Sequence, residues 1–276
     1  MTVVLDGRKT AEKIRLNVAR QAKKLSRKPG LAAIMVGCDP ASEIYVGMKK
    51  RACEEVGFHS VKHVLPENTG EKEMLELIGT LNDDASIDGI LVQLPLPKIM
   101  DLIKVFESID PEKDVDGFHP QNMGELMAGK ETLVAATPRG VIELLAEYKI
   151  PLEGREVVIV NHSTVVGKPL AMLFLNRQAT VTVCHVKTRD LASHTRRADV
   201  LVSATGVPHL IGADMVGKGA VVVDVGIAKK GKRTVGDVDY DAVSPKCSHI
   251  SPVPGGAGPM TIACLLENTL AAAKLG

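Results

Sequence analysis

Tryptophan is absent from the sequence, and aromatic residues of all kinds make up only 3% of it. Basic residues number 34 and acidic residues 33, so the formal net charge is only +1. Proteins that bind nucleic acid carry a clear excess of positive charge, and those that bind single strands add aromatic side chains for base stacking. The composition therefore argues against a nucleic-acid partner.

Cysteine is also scarce, and its spacing matches no metal-ligand pattern. The five cysteines are scattered, odd in number and without a CxxC pair, and the eight histidines form no HExxH motif. Disulfide frameworks use even sets of cysteines, and zinc sites need closely spaced cysteine or histidine ligands. We therefore expect reduced thiols in a cytoplasmic protein and no metal centre.

Long apolar runs are missing as well. No segment approaches the roughly 20 consecutive apolar residues that a membrane-spanning helix requires. No signal-peptide pattern opens the sequence, so no membrane partner is expected. With 276 residues, of which 45% are hydrophobic, the chain is long enough for two domains with separate cores.

Strand-like and helical patterns alternate in the first half of the sequence. Predicted strands there are 31–37, 59–66 and 88–95, and predicted helices are 9–27, 42–56 and 71–83. Turn residues become frequent after Pro95, and the pattern then restarts. Predicted strands of the second half are 156–160, 179–183, 199–204 and 220–227, followed by a helix at 259–275. Such alternation predicts an α/β protein whose parallel sheets are covered by helices.

The predicted helix 42–56 carries three consecutive basic residues, and one of them differs from the other two. Ser42 is a suitable N-cap and Gly57 a suitable C-terminal stop. Lys50 and Arg51 each face a glutamate four residues on, as ordinary surface pairs do. Lys49 lies on a semi-apolar stripe of the helix without a carboxylate. It either extends its ammonium into water or serves chemistry.

A candidate nucleotide-binding turn follows the strand 156–160. The strand runs through NHSTVVG into a helix, whose N-terminus would offer free N–H groups and a positive dipole to phosphate. The usual GxGxxG is missing, because Asn161 stands at the first glycine position and Gly167 is the only glycine nearby. Asparagine tolerates left-handed backbone, so the turn remains feasible.

The end of the next strand bears on the choice of nicotinamide cofactor. NAD-binding folds place an acidic residue there to hold the ribose 2′-hydroxyl. This chain instead has His185, Lys187 and Arg189 ahead of Asp190. A basic cluster suits a 2′-phosphate, which favours NADP over NAD, although the same residues would also suit an exposed loop with incidental charge.

Several separated motifs, in order along nearly the whole chain, share one resemblance. They are YVGMKKRACEEVG (45–57), GILVQLPLP (89–97), PEKDVDGFHP (111–120), TPRGVIELL (137–145), VVGKPLAMLF (165–174), VDVGI (223–227) and PVPGGAGPMT (252–261). In combination they are specific. The sequence resembles the bifunctional 5,10-methylenetetrahydrofolate dehydrogenase / 5,10-methenyltetrahydrofolate cyclohydrolase family.

The resemblance implies a two-domain architecture. A folate-binding catalytic domain is expected from residues 1–136 plus the C-terminal helix 259–276, and a Rossmann-like NADP-binding domain from residues 137–258. The resemblance also implies a substrate cleft between the domains and a homodimer formed through the Rossmann-like domain. The expected substrates are tetrahydrofolate derivatives of one-carbon metabolism, which serves purine biosynthesis.

Four catalytic residues are implied by the resemblance. Lys49 would be the acid/base of the cyclohydrolase, and Gln93 its hydrogen-bond partner. Tyr45 would lie against the aminobenzoyl region of folate, and Asp116 would accept two hydrogen bonds from the pterin ring. Further substrate contacts are expected from Val92, Leu94, Pro254, Gly255, Gly256, Ala257 and Gly258.

On the cofactor side the sequence departs from the family pattern. Asn161, His162 and Ser163 stand where the family usually has Gly-Arg-Ser, so the arginine contact to a 2′-phosphate is missing. Ile227 matches a position at the nicotinamide end. The other expected cofactor contacts are Gly167, His185 and Lys187, and the expected cofactor is NADP rather than NAD.

The resemblance implies oxidation of 5,10-methylenetetrahydrofolate by NADP, followed by hydrolysis of the product to 10-formyltetrahydrofolate. For the second step Lys49 must be partly neutral, although the unperturbed pKa of lysine is about 10.4. Apolar surroundings, a cationic substrate and a hydrogen bond from Gln93 would each lower it. At this point two alternatives stay open: a dehydrogenase without cyclohydrolase activity, and a nucleotide-binding regulator without turnover.

Overall fold

The computed structural model describes residues 1–231 and 233–275. The strands are β1 (Val3–Val4), β2 (Gly30–Val36), β3 (His59–Leu65), β4 (Gly89–Val92), β5 (Glu156–Val160), β6 (Thr180–Cys184), β7 (Val200–Ser203), β8 (Val221–Asp224), β9 (Ala228–Lys230), β10 (Arg233–Val235) and β11 (His249–Ile250). The helices are α1 (Gly7–Ala22), α2 (Pro40–Val56), α3 (Glu71–Asp83), α4 (Leu102–Glu107), α5 (Pro120–Met127), α6 (Ala136–Glu147), α7 (Gly167–Leu175), α8 (Leu191–Thr195), α9 (Tyr240–Val243) and α10 (Ala257–Ala272).

The predicted strands and helices are confirmed, with ends that differ by a few residues. The largest differences among the strands are at 88–95 and 220–227, where the ladders end at Val92 and Asp224. Pro95 and Pro97 follow the end of the first ladder, and proline cannot donate a hydrogen bond to a sheet. The α/β class with parallel sheets is therefore correct.

By its internal contacts the chain divides into two compact units. One contains residues 1–12 and 137–261, and the other contains residues 13–136 and the residues from 262 on. The prediction placed residues 1–12 with the rest of the first half, up to residue 136, but in the structure they belong to the unit of the second half. The physical reason is that β1 pairs in parallel with β11 and so joins the sheet of the second half.

The unit built mainly from the first half has a small parallel sheet in the order β3–β2–β4. All residues of the central strand β2 are buried. The chain passes from β2 to β3 on one side and then to β4 on the other. In open parallel sheets ligands bind outside the carboxyl ends of the strands at such a reversal, and here those ends are Val36 and Val92.

The other unit has a parallel sheet in the order β1–β11–β8–β7–β5–β6, together with the antiparallel pair β9–β10. The order reverses at β5, because β6 lies on one side of it and β7 on the other. The carboxyl ends of β5 and β7 are therefore the corresponding ligand-binding position in this unit. Branched and other apolar residues of β5, β7 and β8 fill its core.

Among the described residues, no helix combines the length and the apolar character needed to cross a membrane. Each unit contains its own buried apolar clusters, as the length of the sequence suggested.

Candidate active site

Helix α2 presents Lys49, and its start differs from the sequence expectation. The predicted N-cap Ser42 is wrong, because the helix begins at Pro40 and Asp39 is the cap. The Asp39 carboxylate accepts hydrogen bonds from both the Ser42 amide, at 2.8 Å, and the Ser42 hydroxyl, at 2.8 Å. At the other end Gly57 is confirmed as the stop, with a left-handed φ of 85°.

The neighbouring basic residues behave as surface groups. Lys50 pairs with Glu54 at 4.0 Å on the exposed face of α2. Arg51 donates through Nε to the Gly47 carbonyl at 3.3 Å, while Glu55 pairs with Arg15 at 3.6 Å. Such exposed pairs contribute little to stability.

Lys49 meets the residue that the sequence predicted as its partner. Its Nζ donates to Gln93 Oε1 at 3.1 Å, and the Gln93 amide in turn donates from Nε2 to the Leu94 carbonyl at 2.9 Å. Gln93 follows β4 directly, and its backbone N–H donates to Ile34 of the central strand at 2.8 Å. A turn of helix and the end of a buried strand thus fix both side chains.

The hydrogen bond between them runs in the opposite direction to the one expected. Gln93 accepts from Lys49 rather than donating to it, so this bond does not lower the pKa of the lysine. Burial of the side chain lowers the pKa of Lys49 below its ordinary value, and the negative charge of Asp116 partly opposes that effect. Lys49 is therefore easier to deprotonate than a surface lysine.

Asp116 supplies the carboxylate that the stripe on α2 lacks. Burial raises the pKa of Asp116 to about 6, the positive charge of Lys49 lowers it, and the negative charge of Asp114 raises it. The stripe itself lacks a carboxylate, as the sequence indicates, but a carboxylate from another segment acts on Lys49, which the pattern of one helix does not show. Lys49, Gln93 and Asp116 lie in one unit of the fold.

Tyr45 and Cys53 stand one turn before and one turn after Lys49 on α2. Tyr45 is half-buried, and burial raises the pKa of its phenol. Cys53 is fully buried, and burial raises the pKa of its thiol to about 12. Its thiol therefore stays protonated at neutral pH, and among these side chains it is unsuited to act as a base.

Val92 and Leu94 flank Gln93 but contribute in a different way from it. The Val92 side chain is buried in an apolar cluster, and Leu94 packs against the same cluster. Contacts from these residues to a ligand would therefore come mainly from backbone groups. The Leu94 carbonyl already accepts hydrogen bonds from Gln93 and, at 3.4 Å, from the Ser42 hydroxyl.

Asp114 is a residue whose importance the sequence analysis missed. It is only 1% exposed, and its Oδ2 accepts hydrogen bonds from the His119 amide at 2.8 Å and from Asn122 Nδ2 at 2.9 Å. These bonds fold the segment that carries Asp116 back on itself. The spacing of two acids in DVDG was the available signal, but it does not show which acid is tied to the chain.

In the other unit Asn161 closes the turn after β5, though not in the expected way. Asn161 is not among the described residues with a positive φ, so the left-handed turn is wrong. The side chain of Asn161 closes the turn instead, because its Oδ1 accepts hydrogen bonds from the amides of Ser163 at 2.8 Å and Gly167 at 3.0 Å. Its Nδ2 donates to the Ala204 carbonyl at 2.6 Å, which joins the carboxyl ends of β5 and β7.

The first N–H groups of α7 are therefore not free, contrary to the sequence expectation. The Gly167 amide donates to Asn161, and the Lys168 amide donates to the Ser163 carbonyl at 3.0 Å. A side chain at Gly167 would not fit, since a Cβ there would lie 2.1 Å from the Asn161 carbonyl oxygen. The close approach that requires this glycine is made by the chain itself.

The basic residues predicted for a 2′-phosphate lie on the surface. His162 from the turn and His185 from the end of β6 place their ring centres 4.9 Å apart. Lys187 and Arg189 are exposed beside them in the chain, and the Lys187 amide donates to His185 Nδ1 at 3.1 Å. Asp190 is used to cap α8 by accepting from the Ser193 amide at 3.2 Å. The structure thus places two imidazole rings together at the surface, with two exposed basic side chains following in the chain.

Ile227 lies 45% exposed beyond a network of buried carboxylates that the sequence analysis missed. Asp224 accepts from the amides of Gly226 at 3.0 Å and Val238 at 2.9 Å, and burial raises its pKa to about 6. Asp237 accepts from the Ser203 hydroxyl at 2.7 Å. These bonds hold together the chain after β7 and the chain after β8.

The glycine-rich loop before α10 is folded closely against its own unit. Gly255 has a φ of 120°, and the Gly256 amide donates to the Pro252 carbonyl at 2.8 Å. A Cβ on Gly7 would lie 1.8 Å from the Gly256 carbonyl oxygen, so the chain itself makes this close approach. Gly258 is more open, and a Cβ placed there would lie 3.9 Å from Ile227 Cδ1.

Among the described residues, histidine, cysteine and acidic side chains form no group of three that could hold a metal ion. The side chains at the candidate site are the amine of Lys49, the amide of Gln93, the phenol of Tyr45 and the carboxylate of Asp116.

Two family models match most of the chain. The model for the catalytic domain of tetrahydrofolate dehydrogenase/cyclohydrolase matches residues 5–116. The model for the NAD(P)-binding domain of tetrahydrofolate dehydrogenase/cyclohydrolase matches residues 135–276.

Individual proteins match over almost their full length. The bifunctional protein FolD of Nitratiruptor sp. is 53% identical over 275 residues, which is 98% of both chains. Among solved structures, the FolD methylenetetrahydrofolate dehydrogenase/cyclohydrolase of Campylobacter jejuni is 48% identical, with a TM-score of 0.97 over 100% of this chain and 99% of that one. The FolD of Trypanosoma brucei, solved with NADP cofactor and inhibitor, is 35% identical, with a TM-score of 0.96 over 99% and 98% of the two chains.

Proposed function

Because the chain belongs to the tetrahydrofolate dehydrogenase/cyclohydrolase family, we propose that it oxidises 5,10-methylenetetrahydrofolate with NADP and hydrolyses the methenyl product to 10-formyltetrahydrofolate. The observation that carries this proposal is the 3.1 Å hydrogen bond between Lys49 and Gln93. Relatives named as bifunctional match along the whole chain, which favours this function over a dehydrogenase without cyclohydrolase activity.

The proposed folate site uses groups of different chemistry for the two ends of the substrate. The Asp116 carboxylate accepts two parallel hydrogen bonds from the amino group and ring N–H of the pterin. Tyr45 offers a half-buried aromatic face to the aminobenzoyl region. Backbone groups of Val92 and Leu94 complete the contacts around Gln93.

Hydride transfer requires positioning more than it requires acid or base groups. NADP supplies the hydride acceptor when it is bound. A hydride leaves the methylene carbon, and the lone pairs of the two folate nitrogens stabilise the cation that remains. Ile227 is proposed for the nicotinamide end, and the loop from Pro254 to Gly258 for the substrate. Their proximity within one unit supports this arrangement.

Hydrolysis requires a proton acceptor that becomes a proton donor. Water attacks the methenyl carbon while neutral Lys49 takes a proton from it. The bond from that carbon to the ring nitrogen then breaks as protonated Lys49 returns a proton to this nitrogen. The hydroxyl group now on the carbon gives its own proton to the neutral Lys49, which releases it to water, and a formyl C=O is left on the other nitrogen. The lowered pKa of Lys49 supports this role because it increases the neutral fraction.

The 2′-phosphate of NADP is proposed to bind His162, His185 and Lys187, with Asn161, Ser163 and Gly167 forming the turn beneath. The exposed imidazole and ammonium groups fit a phosphate, and His162 takes the position where the family usually has arginine. The N–H groups at the start of α7 contribute less than in a standard dinucleotide fold, since the chain already uses them.

Paired assays with both cofactors test the function and the cofactor preference together. We expect methylene-folate oxidation, loss of methenyl absorbance, and a higher kcat/KM with NADP than with NAD. Lys187→Ala should lower kcat/KM for NADP about tenfold, the loss of one charge-assisted hydrogen bond, and leave NAD unaffected. Lys218→Ala is the control, because Lys218 is an exposed lysine of the same unit. Equal or better kcat/KM with NAD would overturn the preference.

The proposed domain assignment gives folate binding to one domain and NADP binding to the other. Folate binding is assigned mainly to the unit of residues 13–136 with the residues from 262 on, and NADP binding to the unit of residues 1–12 and 137–261. A cytoplasmic location is also proposed. Its support is that Cys53, Cys184, Cys247 and Cys264 are buried at scattered positions, which is typical of reduced thiols.

A homodimer is proposed through the edge strand β6, which ends the larger sheet. Val183, Val186 and Leu175 near this edge are 39%, 88% and 49% exposed. An exposed apolar edge strand invites pairing with a second copy. Light scattering should give the mass of a dimer, and Val183→Lys should shift it toward the monomer. A monomeric wild-type protein at micromolar concentration would contradict the proposal.

A further inference from the structure

Asn268 is a fully buried amide in helix α10, most of whose residues are apolar. Its Nδ2 donates two hydrogen bonds, to the Val115 carbonyl at 2.8 Å and to the Val134 carbonyl at 2.7 Å. Val115 and Val134 are themselves buried, with 0% and 3% exposure. A single side chain therefore satisfies backbone acceptors from two distant segments that water does not reach freely.

The two segments meet next to Asp116. Val115 directly precedes Asp116, and Gly117 directly follows it with a φ of +69°. A Cβ on Gly117 would lie 2.4 Å from the Ala135 amide nitrogen and 2.6 Å from the Val134 carbonyl carbon. The backbone that follows Asp116 thus packs directly against the segment 134–135. Asn268 bonds to the backbone that precedes Asp116 and to this segment.

The rest of this segment is held by other contacts. The Ile90 amide donates to the Lys113 carbonyl at 2.7 Å, which attaches the start of the segment to β4. Asp114 holds its end through the His119 amide. The peptide group after Asp116 donates from the Gly117 amide to the Asp114 carbonyl at 3.2 Å, and the peptide group before Asp116 is held by Asn268 through the Val115 carbonyl.

We propose that Asn268 is a positioning residue that fixes the Asp116 carboxylate for recognition of the pterin ring. This inference rests on the proposed function, because it requires that Asp116 contacts folate. Asn268 touches neither substrate nor reacting atoms. It sets the position of Asp116 in two ways. It bonds to the carbonyl of Val115, which precedes Asp116, and to the carbonyl of Val134, against which Gly117 packs.

The test is a kinetic comparison of Asn268→Ala with wild type. Loss of both hydrogen bonds should raise KM for folate about tenfold in the dehydrogenase and the cyclohydrolase reactions alike. KM for NADP should stay within twofold of wild type, because the cofactor residues lie in the other unit. Leu270→Ala is the matched control, since Leu270 is a buried core residue of the same helix that makes no hydrogen bond to this loop through its side chain. It should lower Tm without changing KM for folate.

KM does not depend on the amount of active enzyme, so partial unfolding of the variant does not imitate the expected result. If Asn268→Ala yields no folded protein, Asn268→Ser is used, which keeps one donor and should give a smaller rise in KM for folate. An unchanged KM for folate in a folded variant, or an equal rise in the Leu270→Ala control, would overturn the inference. Absence of both activities in the wild-type protein would instead refute the proposed function.

Discussion

Lys49→Met is expected to reduce methenyl hydrolysis by about 10²–10⁴-fold, which is the usual contribution of a general acid/base. Methionine has a similar length and stays in the apolar stripe of α2, but it has no proton to exchange. Hydride transfer should be reduced much less, because it needs no proton relay. Separate assays of the two reactions, with circular dichroism on the same preparation, measure this outcome.

Lys50→Met is the matched control for this prediction. Lys50 is the next residue along the same helix and carries the same charge, but it is exposed and pairs with Glu54 at 4.0 Å. We expect it to keep both activities and the same fold. A folded Lys49→Met variant that hydrolyses methenyl-folate as fast as wild type would show that Lys49 is not the proton relay.

Asp116→Asn should weaken folate binding in both reactions. The substitution keeps the size of the side chain but removes the charge and one of the two parallel acceptors, so kcat/KM for folate should fall about 10–100-fold. The wild-type protein should show the same effect as pH falls below about 6, because Asp116 then takes up a proton. The pH profile of kcat/KM, which reports groups of the free enzyme, should lose this step in the variant.

The same substitution should make the protein more stable at alkaline pH. The pKa of Asp116 is raised to about 6 in the folded state, above its ordinary value. Its contribution to stability is therefore complete below the unfolded pKa and is lost as pH rises through about 6. At pH 8 asparagine avoids the cost of a buried carboxylate, a gain of roughly 3 kcal/mol in which the opposing attraction of Lys49 is already included. Thermal unfolding at pH 8 and pH 5 measures the difference.

Glu112→Gln is the control for Asp116→Asn. This substitution removes one negative charge from the same segment, but the Glu112 side chain is exposed. Neither KM for folate nor the pH dependence of Tm should change in this variant. If Asp116→Asn retains full affinity for folate, the proposed pterin contact is wrong.

Much of the fold follows from local patterns. The β-branched runs at 156–160 and 199–204 predict buried strands because a sheet covered on both faces has no room for polar side chains. The start of α2 was less predictable. Ser42 has the right chemistry for an N-cap, but Asp39 and Pro40 begin the helix earlier, and the Ser42 hydroxyl then bonds to the cap itself.

The candidate site shows where sequence reasoning stops. Motif resemblance predicted that Lys49 and Gln93 are partners, and the structure confirms their contact. It did not give the direction of that hydrogen bond, nor the charge of Asp116 acting on Lys49. Both depend on segments far apart in the chain, and a helical periodicity reports only neighbours within a few residues.

The sequence by itself determined the order of strands and helices, the parallel sheets and the motifs that define the family, because these depend on short-range spacing. Only the tertiary structure decided that β1 pairs with β11, that Asn161 closes its turn by a side chain, and that Asn268 holds the Asp116 loop. In the first and third cases backbone groups find partners more than a hundred residues away, and in the second the amide of Gly167 finds a side chain six residues back. Local sequence sets which groups need a partner, and the packing of the chain decides which residue provides it.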